Sequence, residues 1–527
     1  MPSQGKMSFQ LQKIFVNCKF LFYLCNPLFF RRRVKTAKNM DYSTVIDYLT
    51  EVIGASLTGF GDTDEKVNKA KEARICDLFE RYISARDGDV ISDYFKVTEG
   101  DVPYMYNGRF YERIDDMKLR FVIKKVMDNV QIGLVYRKNS HSKIATECFE
   151  SLCCNESCFL EPDRRYLVFQ NCVLDTKSGG VYEHDIKYKT DVVMDFDYDP
   201  TVRLPLWDSL IESTIPDAGM RYAFQQFCGA FLADRSEFKI EYMCLLVGGG
   251  RNGKSVVSNA IAGVFGDGLV SNYSPEQLFR SSQSMYNLAD INGKLANFSD
   301  DVSNKDFSGG DFKQFISGAR FQARHPYGRP FTVTKVPLML CCVNEVPPTT
   351  DDTQGHFRRL LPILCPNQIA DNDVDVALPQ KLSTKEAKAA IFNWVLEGYR
   401  MLVRNNGKIT ISESIKEAKN EIQEDSNSAR RWIKEYSYVA VVPSGDLDVR
   451  WKSMKEWMRE YQLYCKDYSE TPKSPKAVGK IFKEMGFASQ KRADTTWYCI
   501  GTKASEPQEI PNVMVSDSVD DSDLPFS

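Results

Sequence analysis

A chain of 527 residues is too long for one hydrophobic core and calls for two to four domains. With 43% hydrophobic and 26% charged residues, its composition is that of an ordinary soluble globular protein. A formal charge of -3 excludes nucleic-acid binding driven by overall charge, so any basic footprint has to be local.

Residues 1–39 read as a leader, non-native or weakly membrane-like. The run "IFVNCKFLFYLCNPLFF" precedes Arg31, Arg32 and Arg33, but Asn17, Lys19, Asn26 and Pro27 interrupt it at the short limit for a spanning helix. No small-residue cleavage site follows, which argues against a secretory signal. Domain-like sequence starts at Met40, and residues 40–204 predict an α+β N-terminal domain. Ile75, Leu78, Phe79 and Tyr82 form a helical stripe. Beyond residue 102, short aromatic and β-branched runs broken by Asn-Gly, Ser-Gly-Gly and Asp-Pro predict hairpins among helices. The 15 cysteines lie in apolar runs such as that around Cys341 and Cys342, and predict free thiols in a reducing cytoplasmic setting. The group from Cys148 to Cys158 matches no familiar zinc spacing.

Residues 205–372 alternate helix-like segments with three apolar runs, "EYMCLLV", "KLANFSDD" and "VPLMLCCVN". That alternation predicts an α/β fold with a parallel sheet. After the first run, Gly248, Gly249, Gly250, Arg251, Asn252, Gly253, Lys254 and Ser255 fit the phosphate-loop pattern G-x-x-x-x-G-K-[ST]. Glycines let backbone N–H groups close on phosphate oxygens, Lys254 reaches the β and γ phosphates, and Ser255 holds Mg²⁺. The second run ends in Asp300 and Asp301, assigned to metal and to water activation, a division that could be reversed. Asn344 ends the third run, where an amide can orient the attacking water. Arg358 and Arg359 precede a further apolar run and suit an arginine that reaches a neighbouring subunit's nucleotide.

Between the acidic pair and Asn344, Phe312, Phe315 and Ile316 share a helix face with Lys313 nearby, and Gly318 ends the helix. Residues 320–333 then predict a hairpin with Arg324, His325, Tyr327 and Arg329 at its tip. Cations mixed with rings on a projecting turn suit single-stranded nucleic acid.

Residues 373–440 predict a helical segment, and 441–503 a small closing domain. Residues 445–503 hold 12 Lys or Arg against 8 Asp or Glu, a local positive excess. In "SPKAVGKIFKEMGF", Val478, Ile481, Phe482 and Met485 face inward and Lys476, Lys480 and Lys483 outward. A helix followed by a small hairpin reads as winged-helix-like, which serves duplex DNA or protein contacts alike. Residues 504–527 form an acidic tail whose last residues are Leu524, Pro525, Phe526 and an extra Ser527. It is similar to the acidic Ile/Leu-Pro-Phe ends of bacterial single-strand DNA-binding proteins, and so a contact for host replication proteins.

Taken in order, the loop, the acidic pair, Asn344 and the arginines resemble the superfamily 3 helicases, specifically the phage- and plasmid-type primase-helicases that are also similar to the poxvirus enzyme. Weaker similarity extends upstream through "YLVFQNCVLDTKSGG". The resemblance implies a P-loop NTPase, AAA+-like core, ATP and Mg²⁺ as ligands, and a homo-oligomeric ring, commonly a hexamer. It also implies that the hairpin grips single-stranded or forked DNA in the ring's pore. Members often carry a primase domain at the N-terminus; no convincing carboxylate constellation for one is present here, so priming is expected from a separate primase chain. Two other classes fit the loop: a nucleotide-switched DNA-binding initiator or loader, and a P-loop kinase. Asn344 and the arginine pair suit the kinase less well.

Overall fold

The computed structural model describes residues 42–57, 77–78, 94–98, 102–114, 116–130, 140–153, 159–279, 283–300, 310–326, 328–346, 354–370, 372, 374–440, 449–468, 472–492 and 495–502. The leader, Ile75, Phe79, Tyr82, Asp301, Tyr327 and the acidic tail lie outside them. Among the described residues no helix is long and apolar enough to cross a membrane, and the described cysteines are free thiols. The chain divides into two units, Met1–Lys419 and Asn420–Ser527.

The first unit begins with α1 (Tyr42–Leu57), an antiparallel meander of β1 (Phe95–Val97), β2 (Pro103–Tyr106) and β3 (Tyr111–Arg113), then α2 (Asp116–Asn129) and α3 (Ser140–Cys153). Asn107 and Gly108, at φ +97°, turn the chain from β2 to β3. Leu49, Ile53, Phe95, Met105, Val122 and Val126 belong to one separate core.

A second core draws its buried members from between Leu167 and Ala418. Its first members include Leu167 of β4 (Tyr166–Val168) and Leu174 of β5 (Val173–Asp175); β5 is joined to the exposed strand β6 (Val181–Tyr182) through Ser178, Gly179 and Gly180. Buried members of the first core end at Leu160 and those of the second begin at Leu167, with Ile186 packed against the first. Asp175 is almost fully buried and accepts bonds from Arg165 Nε (2.8 Å), Ser178 Oγ (2.7 Å) and the Lys177 backbone N–H (3.0 Å). The Arg165 guanidinium holds its carboxyl well below the usual carboxylate range.

Next come α4 (Pro205–Thr214), α5 (Ala218–Gly229), β7 (Met243–Val247) and α6 (Lys254–Leu269), which is broken at Gly266. They are followed by β8 (Val270–Ser271), α7 (Pro275–Phe279), α8 (Ser284–Asp290), β9 (Ala296–Ser299) and α9 (Gly310–Ile316). The hairpin β10 (Phe321–Ala323) and β11 (Phe331–Val333) leads to β12 (Leu338–Val343), α10 (Gln354–Phe357) and β13 (Leu360–Leu364). Five strands form one parallel sheet in the order β13-β7-β12-β9-β8. The central strands are buried on both faces, as their unbroken apolar sequences "MCLLV" and "LMLCCV" require. Pro362 lies on β13, an edge strand, where a missing N–H is tolerated.

The helices α11 (Leu378–Leu382) and α12 (Lys385–Arg404) close the core, and α13 (Glu413–Asp425) contains the division between units, inside the segment read as helical. Helices α5 and α12 meet backbone to backbone: a Cβ on Gly398 would stand 2.0 Å from the Gln225 carbonyl oxygen, and one on Gly229 2.1 Å from the Tyr399 nitrogen.

The second unit comprises α14 (Ser428–Glu435), β14 (Tyr438–Ala440), β15 (Val449–Ser453), α15 (Met454–Asp467), α16 (Pro475–Glu484), β16 (Ala488–Arg492) and β17 (Thr495–Thr502). All three other strands pair antiparallel with β17. Strand β14 comes from the segment that local pattern marked as helical; its pairing partners, Ile500 to Thr502, are too distant in sequence for periodicity to reveal. Trp432, Trp457, Tyr461 and Phe482 fill the core. Ser474 caps α16, which buries Val478, Ile481 and Phe482 and exposes Lys476, Lys480 and Lys483.

Replacing Gly398 by Ala forces α5 and α12 apart and is expected to cost about 3 kcal/mol, read as a lower thermal midpoint. Asp175→Asn is expected to lose roughly 2 kcal/mol at neutral pH. Because the folded-state value of Asp175 is depressed, its contribution is complete above ~pH 4 and is lost as pH falls towards that value. Melting curves between neutral and acid pH should therefore converge for wild type and variant.

Candidate nucleotide site and the opposite edge of the sheet

The carboxyl end of β7 runs straight into the glycine-rich loop. Its first N–H, from Gly248, donates to the carbonyl of Val343 at the end of β12 (3.1 Å), while the Cys365 N–H donates to the Val247 carbonyl (2.7 Å). Asn252, buried, donates from Nδ2 to the Cys365 carbonyl at 3.0 Å and so braces the loop against the end of β13. A Cβ on Gly248 would fall 2.2 Å from that same carbonyl oxygen. Gly253, at φ +80°, caps α6 and has Thr214 Oγ1 2.7 Å from where a Cβ would be. Gly250 differs: its φ is not positive and no atom comes within 4 Å of a Cβ there, so the packing does not demand glycine at that position.

Lys254 opens α6 with its ammonium folded onto the loop, donating to the carbonyls of Gly248 and Gly249 (3.1 Å) and to Asn252 Oδ1 (2.9 Å). Burial lowers its pKa from the ordinary lysine value. Ser255 follows, exposed, in the first turn.

Strand register decides what faces this loop. Cys341 of β12 pairs with both Leu245 of β7 and Ser299 of β9, and Val343 pairs with Val247. Asp300 and Asn344 therefore emerge at the same edge as the loop, the carboxyl edge where parallel sheets collect ligands. A cavity of ≈ 620 Å³ is lined by Lys254, Ser255, Asp300 and Asn344, together with Cys342 and Glu345, which sequence reasoning missed. The Cys342 thiol is pushed up to about 12 by burial and by the charge of Asp300. Glu345 adjoins Asn344 in sequence, and that adjacency was the available signal. Ser255 and Asp300 offer a hydroxyl and a carboxylate, the hard oxygen donors a divalent cation prefers. Among the described residues no group of three or more His, Cys, Asp or Glu is gathered as a metal site.

The arginine pair sits at the other end of the sheet. Leu360, next to Arg359, pairs with Met243, the first residue of β7. At about 3.3 Å per residue the strand separates Arg359, one position before the level of Met243, from Gly248 of the same chain's loop by ~20 Å. The two residues differ. Arg358 is exposed, 3.7 Å from the Glu241 carboxylate. Arg359 is half-buried and donates to the Gly355 carbonyl and to Ser317 Oγ (3.1 Å).

The hairpin lies near the same amino edge, with Phe321 opposite Val333 and Ala323 opposite Phe331. Arg324 donates to Tyr286 Oη at 3.1 Å and lies 5.5 Å from the centre of that ring. His325 stacks on Phe331 with centroids 5.4 Å apart and lies 3.9 Å from Asp290; burial lowers its pKa. Both are thus engaged with α8 or the hairpin itself. Arg329 is exposed and Lys313 half-buried on α9.

Residues 92–216 match the family described as D5 N terminal like, and residues 246–359 match DUF5906, a family of unknown function. The second match runs from the end of β7 to Arg359 and so spans every candidate site residue. No curated protein matches the chain. Among solved structures, an A-form apo structure of the NrS-1 C-terminal region aligns with a TM-score of 0.42 at 11% identity, covering 79% of this chain and 98% of that one. A second apo structure of that region gives 0.43 at 13% identity, over 79% and 97%. Scores this low do not establish a shared fold.

Gly248→Ala is expected to lower the thermal midpoint by several degrees, because its Cβ meets a backbone carbonyl. Gly250→Ala should melt with the wild type, a contrast that differential scanning fluorimetry reads directly.

Proposed function

We propose that this protein is an ATP-dependent DNA helicase of the superfamily 3 type, acting as a ring, a hexamer by family resemblance, in replication of a phage, plasmid or viral genome. The observation that carries the reading is the 620 Å³ cavity that gathers Lys254, Ser255, Asp300 and Asn344 at the carboxyl edge. Its chemistry suits a nucleoside triphosphate. The N–H groups opening α6 donate to phosphate oxygens. Lys254 exchanges the carbonyls of Gly248 and Gly249 for the β and γ phosphates, and the open space at Gly250 lets the backbone approach them. Ser255 and Asp300 would hold Mg²⁺, which neutralises charge between the phosphates when bound. Asp301 activates and Asn344 orients the attacking water.

Arg358 and Arg359, ~20 Å from their own chain's loop, suit a site completed by the next subunit. Lys313, Arg324, His325, Tyr327 and Arg329 are assigned to single-stranded or forked DNA. The C-terminal unit, read as winged-helix-like, sets Lys476, Lys480 and Lys483 on duplex. The acidic tail is assigned to host replication proteins and priming to a separate chain, in the cytoplasm of the host or at a viral replication site.

The engagement of Arg324 and His325 with α8 and Phe331 favours a second reading, a nucleotide-switched initiator or loader with slow hydrolysis and no strand displacement.

ATP hydrolysis with Mg²⁺ is expected to rise on adding single-stranded DNA and to fall on the order of 100-fold or more in Lys254→Ala. Gly250→Ala should raise KM for ATP while folding normally. Hydrolysis indifferent to DNA, or retained in Lys254→Ala, contradicts the helicase reading. Hydrolysis without displacement of a forked duplex selects the initiator.

A further inference from the structure

Arg235 stands in the turn that follows α5, and its guanidinium is spent on four backbone carbonyls. Nη2 donates to Ile316 (2.5 Å), the last residue of α9, and to Ile240 (2.9 Å), just before β7. Nη1 donates to Val336 (3.1 Å) and Pro337 (3.3 Å), between β11 and β12. One side chain thus holds the entry to the hairpin, its exit, and the roots of the two central strands. Burial pulls its pKa down to about 10, with the Glu241 charge acting the other way, so it stays a cation at neutral pH. Desolvating a guanidinium is costly, and apolar packing usually stabilises at least as well. A residue serving stability alone has no need of the charge. Its fork does what apolar packing does not: it fixes four segments in one geometry.

The same junction is held from a second side. Ser317 Oγ accepts from Arg359 (3.1 Å), and Arg359 also binds the Gly355 carbonyl and takes the Met243 N–H (2.8 Å) on its own carbonyl. Gly318 adopts φ +68°, and a Cβ there would stand 2.9 Å from Arg235 Cζ. The junction from Ile316 to Gly318 is therefore gripped between two guanidinium groups.

We propose that this junction is where nucleotide state passes to the hairpin, with Arg235 and Arg359 as the positioning residues that grip it. The inference rests on the ATPase reading above. Arg235 links the junction to β7 and β12, whose far ends carry the glycine loop and Asn344. Arg359 links it to the segment bearing Arg358, which faces a neighbour's nucleotide in a ring. Strands of this length are stiff, so a small displacement at the carboxyl edge moves the hairpin root as one body instead of dissipating between them.

The full-length chain carrying Arg235→Lys or Ser317→Ala tests this. Lysine keeps the charge but cannot span four carbonyls, and alanine removes only the bond from Arg359. Thermal midpoints, ATP hydrolysis without DNA, affinity for a fluorescent single strand, and stimulation by that strand are measured. The expected result is basal kcat and KM within about twofold of wild type, strand affinity likewise, and stimulation reduced about fivefold in Arg235→Lys and about twofold in Ser317→Ala. Undiminished stimulation in either folded variant, or a parallel fall of basal and stimulated rates, overturns the proposal. Should Arg235→Lys not fold, Ser317→Ala decides, together with hydrogen exchange on the wild type. Amides of residues 321–333 must change protection when ATP and Mg²⁺ are added, and no change overturns it too. A wild type that DNA does not stimulate removes the helicase reading along with it, whereas a stimulated wild type matched by stimulated variants removes only the link.

Discussion

The parallel pairing of β7 with β12, Met243 to Val247 against Met339 to Val343, is the constraint on which the rest depends. Both strands are buried on both faces, so neither can slip without carrying apolar side chains into the loops and loop residues into the core. The register places Asn344 one step beyond the end of β7. The pairing of β12 with β9 then sets Asp300 at the same edge. Because the acidic strand is separated from the loop strand by β12, a carboxylate and a lysine more than forty positions apart in sequence line one cavity.

The same sheet has a second consequence. The glycine-rich loop, Asp300 and Asn344 lie at one edge, while the arginine pair and the root of the hairpin lie at the other. This arrangement separates the cavity from the hairpin root by the length of a strand, and side chains tie the far edge together. Arg235 and Arg359 do so with hydrogen bonds to carbonyls and a hydroxyl, which are directional where apolar contacts are not. Lys254 is satisfied by the loop's own carbonyls, so a bound phosphate competes with partners already present instead of with water.

Features carried by neighbours in sequence were legible before any coordinates. The glycine loop, the Asn107–Gly108 and Ser178–Gly180 turns and the inward face of α16 are each set by residues a few positions apart. Cys342 and Glu345 were missed because a thiol inside an apolar run and a glutamate after a strand look ordinary until a cavity wall includes them. The hairpin was legible, but not that Arg324 would turn to Tyr286 on α8.

By itself, the sequence determined the α/β character of the core, the apolar strands and the loop with its lysine and hydroxyl, since these follow from local periodicity and from backbone freedom at glycine. Tertiary structure alone decided which residues share the cavity, which arginine of the pair is exposed, and which carbonyls Arg235 binds. Its carbonyl partners beyond Ile240 lie 81 to 102 positions away, and a donor to main-chain carbonyls leaves no mark on the identity of the residues it binds. Contacts of that kind are written in the packing of the sheet, where strand order, not sequence order, makes neighbours.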